Sequence, residues 1–352
     1  MPIHRPWWFS DDKVMVSTAP TCGLSKRGRL LPLVDRQTGA RVQVPDPETD
    51  ELVDAVDDRL TIDIEALRQG EETPTLRFVD RSEFSMRAAV PVYYDRRFDE
   101  QFHAAMKTPQ FADFTSATLG DLVKQGVLTI RAGHGSPTPD QRVGNVPYIK
   151  VSDLRAGLVN INPTNRVPLR IAQKHWRGEE SGLNAFDLLC PERTSKNIGD
   201  FCLLMPGQEQ VLLTKEIIVM RPGRKAGFDP FYLLWAMTLK IVRDQWKRVV
   251  FMQTNREDVG KRYLEISIPV PRSRETALAV SEPFRTYFQA VAHARAAFSS
   301  YLAESADHHF FVSGAEPVDP DDVMLALAKD VEDAADQEDG ADAEDVEGEE
   351  EE

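Results

Sequence analysis

Apolar residues follow three different rhythms along this chain. Over 1–106 they come in short bursts, Leu30-Leu-Pro-Leu-Val34, Leu60-Thr-Ile-Asp-Ile64, Leu76-Arg-Phe-Val79 and Ala88-Ala-Val-Pro-Val-Tyr-Tyr94, divided by clusters of Pro, Gly and Asp. Bursts of that length between turn-formers predict a small β-rich unit, with 60–68 also fitting a short helix. Over 98–127 the pattern predicts helix, loop and helix. Thr118 stands where a cap for 119–124 is needed, and Gly126 where that helix must stop. A strand over 127–130 then leads into Gly133-His-Gly-Ser-Pro-Thr-Pro139, which suits neither helix nor strand. Val146, Tyr148, Ile149, Val151 and Leu154 are β-formers packed into nine residues, with turn chemistry after them at Ser152-Asp153 and Ala156-Gly157. The stretch 133–167 therefore predicts a small-residue loop, a buried strand, a tight turn and a second strand. Its paired glycines let a backbone come close to another body.

Beyond a polar segment, 170–197, two strands are predicted over 199–205 and 211–220, joined by the turn Pro206-Gly207. The second is apolar enough for a central position in a sheet. Asp229-Pro230 opens a helix as cap and first residue. Phe231, Trp235, Leu239, Val242, Trp246 and Val249 then share about 80° of arc at helical spacing, which predicts one continuous helix with a core stripe. Lys240, Arg243 and Lys247 lie opposite, as a solvated face or as phosphate contacts. A polar loop, 252–262, precedes an apolar strand over 263–271. A long helix is predicted over 282–302, entered through Ser281 and Pro283. In it Tyr287, Val291, Ala294, Phe298 and Tyr301 form a heptad seam, which needs a partner surface in this chain or another.

The fold class is α+β: a mixed-sheet domain over 107–272 followed by a long helix over 273–305, with a β-rich region over 1–106, a linker over 306–329 and an acidic tail over 330–352. The tail is low in complexity and is expected to be disordered.

Charge sharpens this division. The net of −15 conceals a tail with fourteen Asp or Glu and no Lys or Arg, and a central stretch, 107–272, with 24 basic and 16 acidic residues. A basic excess confined to one stretch suits phosphate binding, and equally an ordinary soluble surface. At 352 residues there is room for two compact units. No apolar run approaches membrane-spanning length, the N-terminus lacks an apolar signal segment, and Cys22, Cys190 and Cys202 show no metal or redox spacing; a cytoplasmic location is expected.

Searches for chemistry end without a centre. Asp229-Pro-Phe-Tyr232 has part of the tetrapeptide of an amino-methyltransferase but lacks its second proline and any cofactor loop, so the Asp reads as a helix cap. Gly133-His-Gly-Ser136 lacks the strand–turn–helix setting of a serine nucleophile. Asp307-His308-His309 reads as a surface group rather than a metal site, because adjacent histidines point apart. No phosphate-cradling glycine loop occurs. The expectation is a chain without catalytic residues, cofactor or metal.

The order of motifs resembles a known family. A loop with Gly133 and Pro137 is followed by Val146-Pro-Tyr-Ile149, Asp153-Leu, Gly157, Gly199-Asp, Asp229-Pro-Phe-Tyr-Leu233, Thr254-Asn-Arg, Ile268-Pro-Val-Pro271 and a long helix. Over 116–305 this resembles one target-recognition domain plus spacer helix of the DNA specificity subunits of type I restriction-modification enzymes. It looks most like those attached to methylation-associated phage-defence clusters. The resemblance implies a sequence reader of double-stranded DNA with no active site of its own. Such a reader docks adenine-N6 DNA methyltransferase subunits, and often a restriction nuclease-translocase, with the helix as docking element and ruler. Family members carry two recognition domains and two helices. One of each is evident here, so either two copies pair as a homodimer through their helices or one copy reads a continuous site. The strand ending at Pro271 lacks the Gln-containing continuation common in the family.

On this reading Lys150, Arg155, Lys174, Arg177, Lys196 and Lys261 are phosphate contacts. His134, Ser136, Ser152, Arg193, Asn197, Asn255 and Arg256 read base edges from loops beside strands. Structural duties compete with these roles: Glu192 and Asp200 offer Arg193 ion pairs, and Asn197 can cap a turn. The rival readings are a protein-interaction scaffold with a basic face and no sequence-specific DNA binding, and a degenerate nuclease or methyltransferase.

Overall fold

Aspartates close the turns of the first ninety residues. In the computed structural model, which describes residues 13–84, 88, 90–177, 181–193, 195–252, 257–309 and 318–331, the chain divides into units Met1–Arg97 and Phe98–Glu352. In the first, β1 (Lys13–Ser17) is followed by a meander. Asp35 there accepts the N–H groups of Gln37 and Thr38, and Asp46 those of Glu48 and Thr49. The meander contains the hairpin of β2 (Gln43–Pro45) and β3 (Leu52–Asp54). Next comes α1 (Arg59–Gln69), capped by Asp58 and stopped by left-handed Gly70, so 60–68 adopts the helical alternative. β4 (Leu76–Asp80) returns antiparallel to β1. The buried Asp63 carboxylate accepts hydroxyls from Ser17, Thr73 and Thr75, and these donors offset the cost of burying a charge. Within the apolar burst at 88–94, Pro91 starts a 3-10 turn, Pro91–Tyr94.

The second unit is α+β. Helix α2 (Arg97–Met106) begins at the division, and β5 (Phe114–Thr118), α3 (Leu119–Lys124) and β6 (Leu128–Ala132) follow. Thr118 does cap α3, accepting from Asp121 N. Then come β7 (Val146–Ile149), the short pair β8 (Leu154–Arg155) and β9 (Leu158–Val159), β10 (Arg166–Val167) and α4 (Leu169–His175). β11 (Leu188–Pro191), β12 (Cys202–Leu203), β13 (Leu212–Leu213) and β14 (Ile217–Pro222) complete the central strands. The rest is helical: α5 (Pro230–Thr238), α6 (Lys240–Val249), a small hairpin of β15 (Phe251–Met252) and β16 (Glu257–Asp258), then β17 (Ser267–Pro271) and α7 (Arg274–Glu304). β17 pairs with β5.

A six-stranded mixed sheet, β6-β14-β11-β12-β9-β8, organises the unit. Its central strands β11 and β12 are apolar at every position, and β14 over 217–220, because both faces are covered there. Leu188, Cys190, Ile218 and Met220 point to one face and pack in a cluster with residues of α5, α6 and α7. Leu189, Ile217 and Val219 point to the other and pack with Ile149, Leu154 and Leu213. A three-stranded sheet, β10-β7-β13, carries two of those partners on this second face.

Three predicted elements differ. The strand expected over 211–220 is two strands in different sheets, bent at 214–216 because β13 pairs with β7 while β14 pairs with β6 and β11. The helix expected to run unbroken through 249 is interrupted at Leu239, whose ψ of 132° is extended. The cause is environment: α5 is buried on nearly every side, whereas α6 buries only Val242, Gln245, Trp246, Arg248 and Val249, so one straight axis cannot serve both. The long helix starts at Ser273, whose hydroxyl accepts Thr276 N, and carries Pro283 inside it. Its buried stripe is Ala277, Ser281, Phe288, Ala292 and Ser299. Tyr287, Phe298 and Tyr301 of the heptad seam are about half exposed, Ala294 is exposed, and Val291 is half-buried.

Candidate nucleic-acid interface

Strand register sends several of the nominated loops out of one end of the six-stranded sheet. Ala132 lies opposite Ile218, and Pro191 opposite Ile217. β12 enters opposite the end of β11, and β9 runs parallel to it, with Leu158 beside Leu203 and Arg155 opposite Leu158. The loops 133–137, 192–200 and 214–216 and the β8–β9 turn therefore emerge together. β7 ends there too, since Thr214 N donates to Ile149 O.

The turn at 214–216 is the hub. Gly133 N donates to Ile217 O, Gly135 N to Leu213 O, and Glu192 N to Glu216 O; Val259 N in turn donates to Glu192 O. Ser136 and Thr214 share a hydroxyl hydrogen bond of 3.0 Å. Gly133 is required by proximity: a Cβ there would lie 2.0 Å from the Thr214 carbonyl oxygen. Around this hub stand Lys150 on β7's end, Arg193, Lys196 and Asn197 after β11, and Lys261 close to the 257–259 segment. Of these, Arg193, Lys196, Asn197 and Lys261 are exposed and Lys150 is half-buried. Arg193 lies 3.7 Å from Glu192. Lys150 Nζ is 5.9 Å from the Tyr148 ring centre, and the Arg142 guanidinium is 5.4 Å from it. Ser152 leans on Asp153, and exposed Arg155 donates to Ser152 O at 2.9 Å. Lys174 and Arg177 are exposed at and beyond the C-terminal end of α4. Asn255 and Arg256 lie outside the described residues.

His134 has a different duty. Its Nδ1 accepts Leu213 N at 3.0 Å and its Nε2 donates to Ser181 O at 2.8 Å. Burial lowers its pKa to about 4, so the ring is neutral at pH 7. With both nitrogens engaged inside the protein, it has no edge left for a base. The basic stripe of α6 is likewise engaged: Lys240 and Lys247 pair with Asp244, and Arg243 with Asp200. Asp229 caps α5 through Tyr232 N and pairs with Arg285, so its carboxylate is committed to structure.

Four cations went unnamed in the sequence reading: Arg142, Arg166, Arg170 and Lys215. A finer charge count finds three of them, because 131–177 holds eight basic residues and two acidic ones. Lys215 was hidden inside what read as one apolar strand. It is exposed at the tip of the hub turn and has no ion pair among the described residues. Among those residues no group of three His, Cys, Asp or Glu could hold a metal ion, and no helix is long and apolar enough to cross a membrane.

Fold and site together define an α+β domain that presents a cationic cluster of loops at one sheet end and carries a long helix behind them. No protein-family model matches the chain, and no curated protein does. In structure it is similar to the S subunit of a type I restriction-modification system from M. genitalium, at 12% identity and a TM-score of 0.35 over 54% of this chain and 42% of that one. It is similar to the HsdS subunit from Thermoanaerobacter tengcongensis at 15% identity, with a TM-score of 0.33 over 56% and 45%. It is also similar to the type IIG restriction endonuclease BpuSI at 9% identity, with a TM-score of 0.38 over 63% and 32%. The chain spans less than half the length of each of these three.

Proposed function

We propose that this chain is a DNA-recognition subunit that binds double-stranded DNA with the loop end of its six-stranded sheet. It would direct a partner adenine-N6 methyltransferase, and a restriction nuclease-translocase where one is present, to the chosen site. The observation that carries this reading is the hub: loops distant in sequence are tied to one turn and bring cations to one end. Lys150, Arg155, Lys196, Lys215 and Lys261, with Lys174 and Arg177 on the α4 side, neutralise phosphates and set register. Ser136, Arg193 and Asn197 stand among them as base readers. The exposed side of α7, with Tyr287, Phe298 and Tyr301, is the docking face for the partner subunit. The N-terminal region 1–106 and the acidic tail lie outside this role.

The test is replacement of Arg193, Lys196 and Asn197 together by Ala. The expected outcome is loss of the modified-adenine motif from host DNA, with sequence-selective retention of duplex DNA falling at least about tenfold. Unchanged selective retention would remove the loop from the reading. Co-purification with a methyltransferase but no selective retention by the native chain would favour the scaffold instead.

A further inference from the structure

The outward face of the meander in the first unit carries six apolar side chains around one polar group, in which Arg41 and Gln43 both donate to Asp54. Register decides which side chains share it: Leu24 bridges Leu30, Pro32 bridges Val56, Val34 bridges Arg41, and Pro45 pairs with Leu52. Side chains alternate along a strand, and directly paired residues point the same way. Leu24, Leu30, Pro32, Val34, Leu52 and Val56 therefore stand on one face, with Arg41, Gln43 and Asp54 among them. Leu30 is 67% exposed and Leu52 69%, while Leu24, Val34 and Val56 are each above 40%. The reverse face is packed over part of its length, with Ala55 buried and Leu31, Leu33 and Val42 half-buried, while Val44 and Val53 at the hairpin end are exposed. A sheet with one solvated face normally carries polar residues there.

Charge at the two ends of this face is of opposite sign. The turn 25–29 carries Lys26, Arg27 and Arg29 and no carboxylate. The hairpin tip 46–51 carries Asp46, Glu48, Asp50 and Glu51 and no cation. Among the described residues none of Lys26, Arg27, Arg29, Glu48, Asp50 and Glu51 forms an ion pair, and all six are exposed. The strand through 52–58 separates the two ends by about 20 Å.

We propose that this face is where a second copy of the chain docks, as a two-fold pair with the strands of the two copies antiparallel. A two-fold axis lying in the contact plane and across the strands sets each apolar row on its equivalent. The same rotation sets the basic turn of each copy against the acidic tip of the other. DNA is disfavoured by the acidic tip, and a partner of uniform charge would be repelled at one end. A copy of the same face satisfies both ends at once.

Sedimentation of the full-length chain over a concentration series tests this. A dimer is expected, and L30D/L52D should raise its dissociation constant at least about tenfold with an unchanged melting temperature, since both side chains point outward. K26E/R27E/R29E should weaken the dimer, and so should E48K/D50K/E51K. Mixing these two charge variants should restore a heterodimer. The proposal is overturned by a monomer at every concentration, by a dimer indifferent to L30D/L52D, by mixed variants that do not associate, or by a dimer lost only when Tyr287 and Phe298 of α7 are replaced.

Discussion

The ring of His134 accepts a backbone N–H on one nitrogen and donates from the other, so its charge state is bound to the fold. Its pKa is about 4 in the folded chain against 6.5 ordinarily, chiefly through burial. As pH falls from 6.5 towards 4, the unfolded chain takes up a proton that the folded one refuses. The stability held above pH 6.5 is lost over that window, on the order of 2 kcal/mol from this group. Urea midpoints at pH 7 and pH 4.5 should fall further in the native chain than in His134→Gln. Equal losses would mean that the ring is not held neutral. His175 is lowered in the same direction by burial and is present in both proteins. The sequence marked His134 as a loop residue beside glycines, which was correct about place. Its duty depends on Leu213 and Ser181, 79 and 47 residues away, and no local pattern reports such partners.

Among the elements, α5 and α7 share one fastening. Asp229 caps α5 and takes Arg285 from α7, and Arg285 also lies 5.2 Å from the Phe231 ring centre. Asp229→Ala should cost about 3 kcal/mol, because it removes the cap and leaves a half-buried guanidinium with only its 3.8 Å contact to exposed Glu282. Asp229→Asn keeps a cap and should cost less; chemical denaturation would show the order, and equal costs would deny the ion pair a share. The cap itself was legible, as was Thr118 at α3, because capping needs only residues three apart. The break at Leu239 and the start of α7 at Ser273 were not. Helical periodicity continues across Leu239, and Pro283 reads as a first helical residue although it lies inside α7; only the surroundings decide where an axis turns or begins.

At the scale of the whole chain the charges are segregated, with a basic middle and thirteen carboxylates over 332–352. On the proposed reading, DNA affinity should fall steeply with salt, with a slope near −0.9 per phosphate contacted. Deleting 332–352 should tighten non-specific duplex binding at least about threefold at low salt, and the difference should close as salt screens it. Filter retention of a non-cognate duplex at several ionic strengths would show this, and identical curves would mean that the tail does not compete with DNA. Pairing through the first unit would place two copies of the loop end in one particle.

By itself the sequence determined what is local: the caps at Thr118 and Asp229, the glycine loop at 133–137, the apolar strands, and the stretch where basic residues gather. Each follows from the conformational preferences of a few adjacent residues. Tertiary structure decided which loops meet, through strand register, and it bent 211–220 into two sheets so that Lys215 reached a surface. It also decided which charges remain available, since Asp244 and Asp200 claim the cations of α6 while Lys150, Lys196 and Lys215 stay at the loop end. Register and ion pairing join residues that sequence separates, and their energies exist only once the chain has closed on itself.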